Sequence, residues 1–266
     1  MIGSLWGLLL VGLALATGVM AVLWYVQVRI HDASHVDVAW AALIACAALL
    51  YALLADGGVA HRVLAAVLAS LWGFRLAGYL YVDRIRGKSE DGRYRELRAK
   101  WGAHANSRFF WFFQFQALFV VFFSLPFALV CLDPDPAISG LAWTGVGVWA
   151  VGNGGTIVAD RQLAVWRANP SNHGKTVRTG LWSWSRHPNY FGEISFWFAL
   201  ALFGVAASPD DAWWIFAGTA AMIAMFLGAS IPMMEARSLE RRPSYQDVID
   251  RVPMLVPRPP RRRTPS

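Results

Sequence analysis

Charge is scarce in this chain of 266 residues: Asp, Glu, Lys and Arg make up 15%, against roughly 25% in soluble domains. Ordinary water-soluble architecture is thereby excluded. Cysteine is scarcer still. Cys46 and Cys131 both lie within apolar runs, which excludes a disulfide scaffold and leaves no basis for a Cys-rich zinc site or a CxxC redox pair. No GxGxxG, Walker loop or HExxH is present; a Rossmann module, a P-loop and a common zinc protease find no support. Any dinucleotide must be held by helices and their loops. Period-two alternation is missing from the apolar stretches, so a membrane β-barrel is excluded. The absence of an internal repeat removes the signature of an inverted-repeat transporter.

What the chain has is hydrophobic length. Apolar residues reach 56%, with 14 Trp and 16 Phe, and such segments cannot remain solvated and disordered. A membrane helix needs about 20 apolar residues. Runs of that kind cover 1–28, 36–54, 61–82, 109–132, 140–159, 190–207 and 212–234. The sixth is the shortest, and Pro209-Asp210-Asp211 forms a turn after it. These runs predict an all-α polytopic membrane protein, a bundle of about seven transmembrane helices. Ala14-Leu15-Ala16 resembles a signal cleavage site, but no basic segment precedes it and apolar residues continue to Val28, which reads as a retained span.

The net charge of +7 is explained by where it falls. Eight Lys and Arg lie in 83–108, five in 160–189 and eight in 235–266, whereas 55–61, 133–139 and 208–211 contain none. With seven spans, every basic connection falls on one face. The positive-inside rule then puts the N-terminus outside and the C-terminus in the cytoplasm. Nothing in this pattern calls for nucleic acid. The tail at 257–266, rich in Pro and Arg, reads as a solvated end touching anionic lipid head groups.

Ionisable groups within or beside spans are costly and mark functional cavities by default. Asp37 begins the second span; it serves equally as a helix cap or as a catalytic carboxylate. Trp72, Arg75 and Tyr79 share one face of the third span, with Arg75 placed to pair with Asp37 or a helix end. Asp160 and Arg167 stand two turns apart at the end of a glycine-rich helix (Gly145, Gly147, Gly152, Gly154, Gly155). Those glycines permit close packing or the approach of a ligand to the backbone. The densest polar stretch runs from Arg178 to Glu193 and includes Arg186, His187, Asn189 and Tyr190. Basic donors beside a helix start suit a phosphate-bearing ligand.

Residues 160–193, DRQLAVWRANPSNHGKTVRTGLWSWSRHPNYFGE, closely resemble bacterial membrane proteins related to the steroid 5α-reductase C-terminal domain. VDVAW at 36–40, LWGFR at 71–75, GRYRELRAKWG at 92–102 and the segment ERRPSYQDVIDRVPMLVPRPPR extend the likeness over most of the chain. The resemblance implies one reductase domain at 1–256, its substrate half at 1–132 and its cofactor half at 140–256, in a bacterial inner membrane. It implies NADPH on the cytoplasmic side and a lipid-soluble enone, such as a 3-oxo-Δ4-steroid, as substrate. By the same resemblance Asp160, Arg167, Asn189, Tyr190, Glu193, Glu235 and Arg237 contact the cofactor. Lys175 or Arg178, with Arg186 and His187, serves the phosphates. The animal enzymes carry a Glu–Tyr pair near the substrate carbonyl. Here those positions fall near Asp37 and Trp72, with Tyr79, one turn beyond Arg75, as proton donor, held by Asp37 or Arg75.

GLWSWSRHPNYFG also resembles membrane isoprenylcysteine and phospholipid methyltransferases, which bind S-adenosylmethionine; Glu235 and Glu240 would then be their later Glu pair. The basic residues upstream favour a ligand carrying phosphates. A transporter or lipid-binding protein would place polar groups midway along several spans, whereas here they gather at the basic end.

Overall fold

The computed structural model describes residues 2–259. Eleven α-helices follow one another, and no β-strand occurs among the described residues. They are α1 (Leu5–Ile30), α2 (His35–Leu54), α3 (Val59–Leu80), α4 (Gly92–Trp101), α5 (Ala105–Leu132), α6 (Gly140–Ala168), α7 (Pro188–Ala207), α8 (Ala212–Ile215), α9 (Ala217–Met225), α10 (Ile231–Arg241) and α11 (Gln246–Arg251). Among the described residues, six helical segments are long and apolar enough to cross a membrane: Leu5–Ile30, His35–Leu54, Val59–Ile85, Gly92–Leu132, Pro188–Ala207 and Ala217–Arg241. The expected fifth span is a helix, but a longer one than its apolar run, and it is not among the six. Its glycines, Asn153, Asp160 and Arg161 dilute its apolar character.

The chain divides into two compact units, one of Met1–Ser139 with Phe203–Asp211 and one of Gly140–Leu202 with Ala212–Ser266. In the first unit α2 packs on α3 and α5, and α1 packs on α5. Small residues let the backbones approach: a Cβ on Gly73 would lie 2.8 Å from the Ala41 carbonyl oxygen and from the Ala45 Cβ. The buried Tyr51 hydroxyl shares a hydrogen bond of 3.0 Å with Ser124, tying α2 to α5. Edge-on aromatic pairs run along α5, among them Phe109–Phe113 and Phe115–Phe119.

Two local features of this unit depart from a plain helix–loop reading. Tyr81–Ile85 continues α3 as a turn of π-helix. GRYRELRAKWG, within what reads as a loop, folds as the helix α4; Asp91 caps it by accepting from the Arg93 N–H, and Gly102 ends it at φ 52°.

In the second unit, α6 and α7 cross where two glycines meet. A Cβ on Gly152 would lie 2.8 Å from the Gly192 carbonyl oxygen, and one on Gly192 would lie 2.5 Å from that of Gly152. The glycines of α6 therefore divide: Gly152 is needed for packing, whereas Gly147, Gly154 and Gly155 have open space at the Cβ position. Thr219 donates to the Trp197 carbonyl at 2.9 Å and fixes α9 on α7. Between α9 and α10 the helix widens into a π turn, Phe226–Ser230. Pro232 explains this, because it lacks an N–H and its ring crowds the carbonyl four residues back. The expected turn after the sixth span is present as Pro209–Asp211.

Candidate functional site

Within the second unit the polar residues assemble around the start of α7. Pro188 opens that helix, where a missing N–H costs nothing, and so delivers Asn189, Tyr190 and Glu193 in its first two turns. The Asn189 carboxamide donates to Asp160 at 3.3 Å, and the Asn189 backbone carbonyl accepts from Thr156 at 3.3 Å. Asp160 is 8% exposed. This buried carboxylate is thus presented from α6 to the helix start that carries Asn189. Two turns further, Arg167 is exposed on the same helix.

A second cluster lies on Glu235 of α10. Arg186 reaches it through Nε at 2.7 Å and Nη2 at 3.4 Å, and His187 Nε2 lies 2.9 Å from the same carboxylate. Arg186 Nη1 also donates to the Ile249 and Val252 carbonyls at 2.8 and 2.9 Å. Its side chain is 9% exposed, so its donors are spent inside the protein. The ring of His187 stacks on Tyr190 (5.6 Å, 14°), and Tyr190 stacks on Phe226 (4.4 Å, 2°). The Tyr190 hydroxyl points to the Met234 sulfur at 2.9 Å. Arg237 follows on α10, half-buried.

The segment after α10 is part of this framework. Tyr245, Val248 and Val252 form a small buried core with Leu239 and Ile249. Burial, and then the charge of Glu235, push the Tyr245 phenol up to about 12. Beyond Val252 the chain lies along the loop before α7: Arg186 N–H donates to Pro253, Ser185 Oγ to Leu255 and Arg258 N–H to Trp184. The tail expected from 257 is therefore docked at its first residues; its remainder, 260–266, lies outside the described residues.

The outer loop is more open. Lys175 is exposed, and Arg178, also exposed, pairs with Asp247 at 2.6 Å. Gly180 adopts φ 59°, a conformation that favours glycine, with the Gln162 side chain against it. Gln162 then accepts from the Leu181 N–H, and the Trp182 indole donates to the Ala159 carbonyl, both at 2.9 Å. α6 thereby positions the loop that ends at Arg186.

The first unit holds the three residues expected near a substrate. Asp37, in the first turn of α2, accepts from Arg84 (2.7 Å), Arg93 (2.6 Å) and the Tyr94 hydroxyl (2.6 Å). Asp91 joins through Arg93 and receives Ser34 as partner of its N–H. Burial pushes the Asp91 carboxyl up, but the hydrogen bonds and charge of Arg93, with the charge of Arg84, outweigh it and hold it below its ordinary value. Glu90, 9% exposed, takes Arg98 and the Ala33 N–H. Trp72 is buried edge-on to Trp40, and Tyr79 is half-buried on α3.

Sequence reading therefore missed Tyr94, Arg84 and Arg93 around Asp37, and Asn153, Thr156, Gln162 and Ser185 around Asp160 and Arg186. A signal existed for two of them: Asn153, Thr156 and Asp160 recur at i, i+3 and i+7, the spacing of one helix face. For a phosphate-bearing dinucleotide the donor set is suitable. Exposed Arg167 and Lys175 supply cationic donors, half-buried Asn189 a carboxamide, and buried Asp160 an acceptor.

Comparison with known proteins gives relatives whose own roles are undefined. An uncharacterized protein of Schizosaccharomyces pombe is 28% identical over 274 residues, covering 93% of this chain and 79% of its own. No solved structure matches. The family model described as "Protein of unknown function (DUF1295)" matches residues 23–252, and that family is associated with steroid 5α-reductase-like membrane proteins. With nearly all of its helical part matched, this chain is a member of the DUF1295 family.

Proposed function

We propose that this protein is an NADPH-dependent membrane reductase that saturates the C=C bond of an enone in a lipid-soluble substrate, a 3-oxo-Δ4-steroid or a similarly shaped ring system. The observation that carries the reading is the hydrogen bond from half-buried Asn189, at the start of α7, to the buried Asp160 of α6, with exposed Arg167 two turns beyond Asp160 on α6. That arrangement suits a ligand with a buried polar ring end and an anionic outer end. The family's association with steroid 5α-reductase-like proteins supports the same conclusion.

NADPH, when bound, supplies a hydride to the β-carbon of the enone. The residues of this chain do the rest. Asp160 and Asn189 orient the buried end, and Arg167 and Lys175 neutralise phosphate charge. Arg186 and His187, spent on Glu235, act as positioning residues that hold the start of α7 in place. In the first unit, aromatic helices offer an apolar surface to the substrate, and a tyrosine is the donor for the oxygen on which negative charge grows. Tyr79 remains assigned to that role, with Asp37 and Trp72 as its unit's other site residues. Seven spans, with α6 as the fifth and the basic connections cytoplasmic, complete the proposed arrangement in the membrane.

The test uses purified protein in nanodiscs with progesterone and NADPH. The expected result is a product heavier by two hydrogens, dependent on NADPH and lost in Asn189→Ala. The second reading, an S-adenosylmethionine-dependent methyltransferase, draws on Glu235 being gripped by Arg186 and His187. Thermal stabilisation by S-adenosylmethionine and none by NADPH would establish it instead.

A further inference from the structure

The buried face of α6 carries more polar atoms than the Asp160–Asn189 pair uses. It comprises Ala142, Gly145, Trp149, Gly152, Asn153, Thr156, Ala159 and Asp160. Thr156 and Asp160 are hydrogen-bonded. Trp149 Nε1 and Asn153 Oδ1 are buried and have no hydrogen-bond partner among the described residues. Their residues are 9% and 5% exposed. Proteins leave few such atoms unpaired, and each one needs a reason.

Their chemistry is complementary. The indole N–H only donates, and the carboxamide oxygen only accepts. The two positions are one turn apart on one face, about 6 Å of helix rise. A group that satisfies both must present an acceptor and a donor side by side. A ketone would satisfy Trp149 alone; a primary carboxamide, planar with C=O beside NH2, satisfies both.

Position along α6 points the same way. From Asn153 through Asp160 to Arg167 the helix passes from buried to exposed over 14 residues, about 21 Å. An extended dinucleotide is of comparable length, with an uncharged carboxamide-bearing ring at one end and phosphates toward the other. Resting on the NADPH reading above, we infer that Trp149 and Asn153 recognise the nicotinamide carboxamide, Trp149 donating to its oxygen and Asn153 accepting from its NH2.

The test is equilibrium binding to the full chain in nanodiscs, with three probes: NADP+, its 3-acetylpyridine analogue, which keeps the carbonyl and lacks the NH2, and adenosine 2′,5′-bisphosphate, which lacks the nicotinamide. Wild-type protein is expected to bind NADP+ about tenfold more tightly than the analogue, the value of one buried hydrogen bond. Asn153→Leu is expected to bind both equally, at the wild-type affinity for the analogue. Trp149→Phe is expected to weaken both alike, and all three proteins are expected to bind the bisphosphate equally. Equal binding of NADP+ and analogue by wild type would overturn the inference even if no variant folds, and so would discrimination retained in Asn153→Leu. Failure of wild type to bind any of the three would instead overturn the dinucleotide reading, and the inference with it.

Discussion

Arg186 distinguishes two ways of reading the densest polar stretch of the chain. A basic residue before a helix start suggests a phosphate ligand, yet in the fold its guanidinium is committed to Glu235 and to the Ile249 and Val252 carbonyls. Its side chain is 9% exposed and that of Glu235 is 15% exposed, so solvent screens the pair little. Removing one partner of such a pair costs about 3–5 kcal/mol, because the other charge stays buried with fewer partners. At roughly 2–4 °C per kcal/mol for a chain of about this size, Arg186→Met is expected to lower the melting temperature by about 6–20 °C. The assay is thermal unfolding in detergent, paired with NADPH titration well below the transition, where the Kd is expected to change less than about threefold. A melting temperature within about 2 °C of wild type, with the Kd raised tenfold or more, would refute the structural role and return Arg186 to the phosphates.

Three other expectations concern separate parts of the molecule. Asp37→Asn removes the charge that Arg84 and Arg93 share; since those side chains are each 34% exposed, screening reduces the cost to about 1–2 kcal/mol, read as a lower melting temperature. Gly192→Ala places a methyl group against the Gly152 carbonyl and the Thr156 hydroxyl and is expected to cost about 1–3 kcal/mol. Gly155→Ala, at an open position in the same helix pair, is expected to be stabilising by about 0.5–1 kcal/mol; equal effects of the two would contradict the close crossing. The raised phenol of Tyr245 contributes stability that is present below its ordinary pKa of 10.0 and lost as pH rises towards about 12. Tyr245→Phe is therefore expected to flatten the alkaline limb of the stability profile between those values, as followed by melting temperature against pH.

The helices were legible because membrane spans announce themselves by length. Even so, α4 is hidden in a basic stretch whose helix depends on the Asp91 cap and on the anchoring of Arg93 and Tyr94 to Asp37. That polar residues gather around the start of α7 is legible in the sequence, since so many polar groups at a span boundary demand a reason. Their partners were not. Arg186 and Glu235 are 49 positions apart, and Asp37 and Tyr94 are 57 apart. Periodicity tells which residues share a face but not which face meets it. Arg186 and Glu235 read as two separate ligands of a cofactor, although they neutralise each other. Asn153 escaped notice because one amide among glycines has no charge to mark it.

The central claim is that a hydride passes to the β-carbon of an enone bound by this protein. It is tested most directly with NADPH deuterated at both C4 positions, incubated with the nanodisc-embedded protein and progesterone. The reductase reading requires one deuterium at the β-carbon of the saturated product, identified by mass spectrometry and NMR. Product without deuterium at that carbon, or labelled product formed equally without the protein, would contradict it.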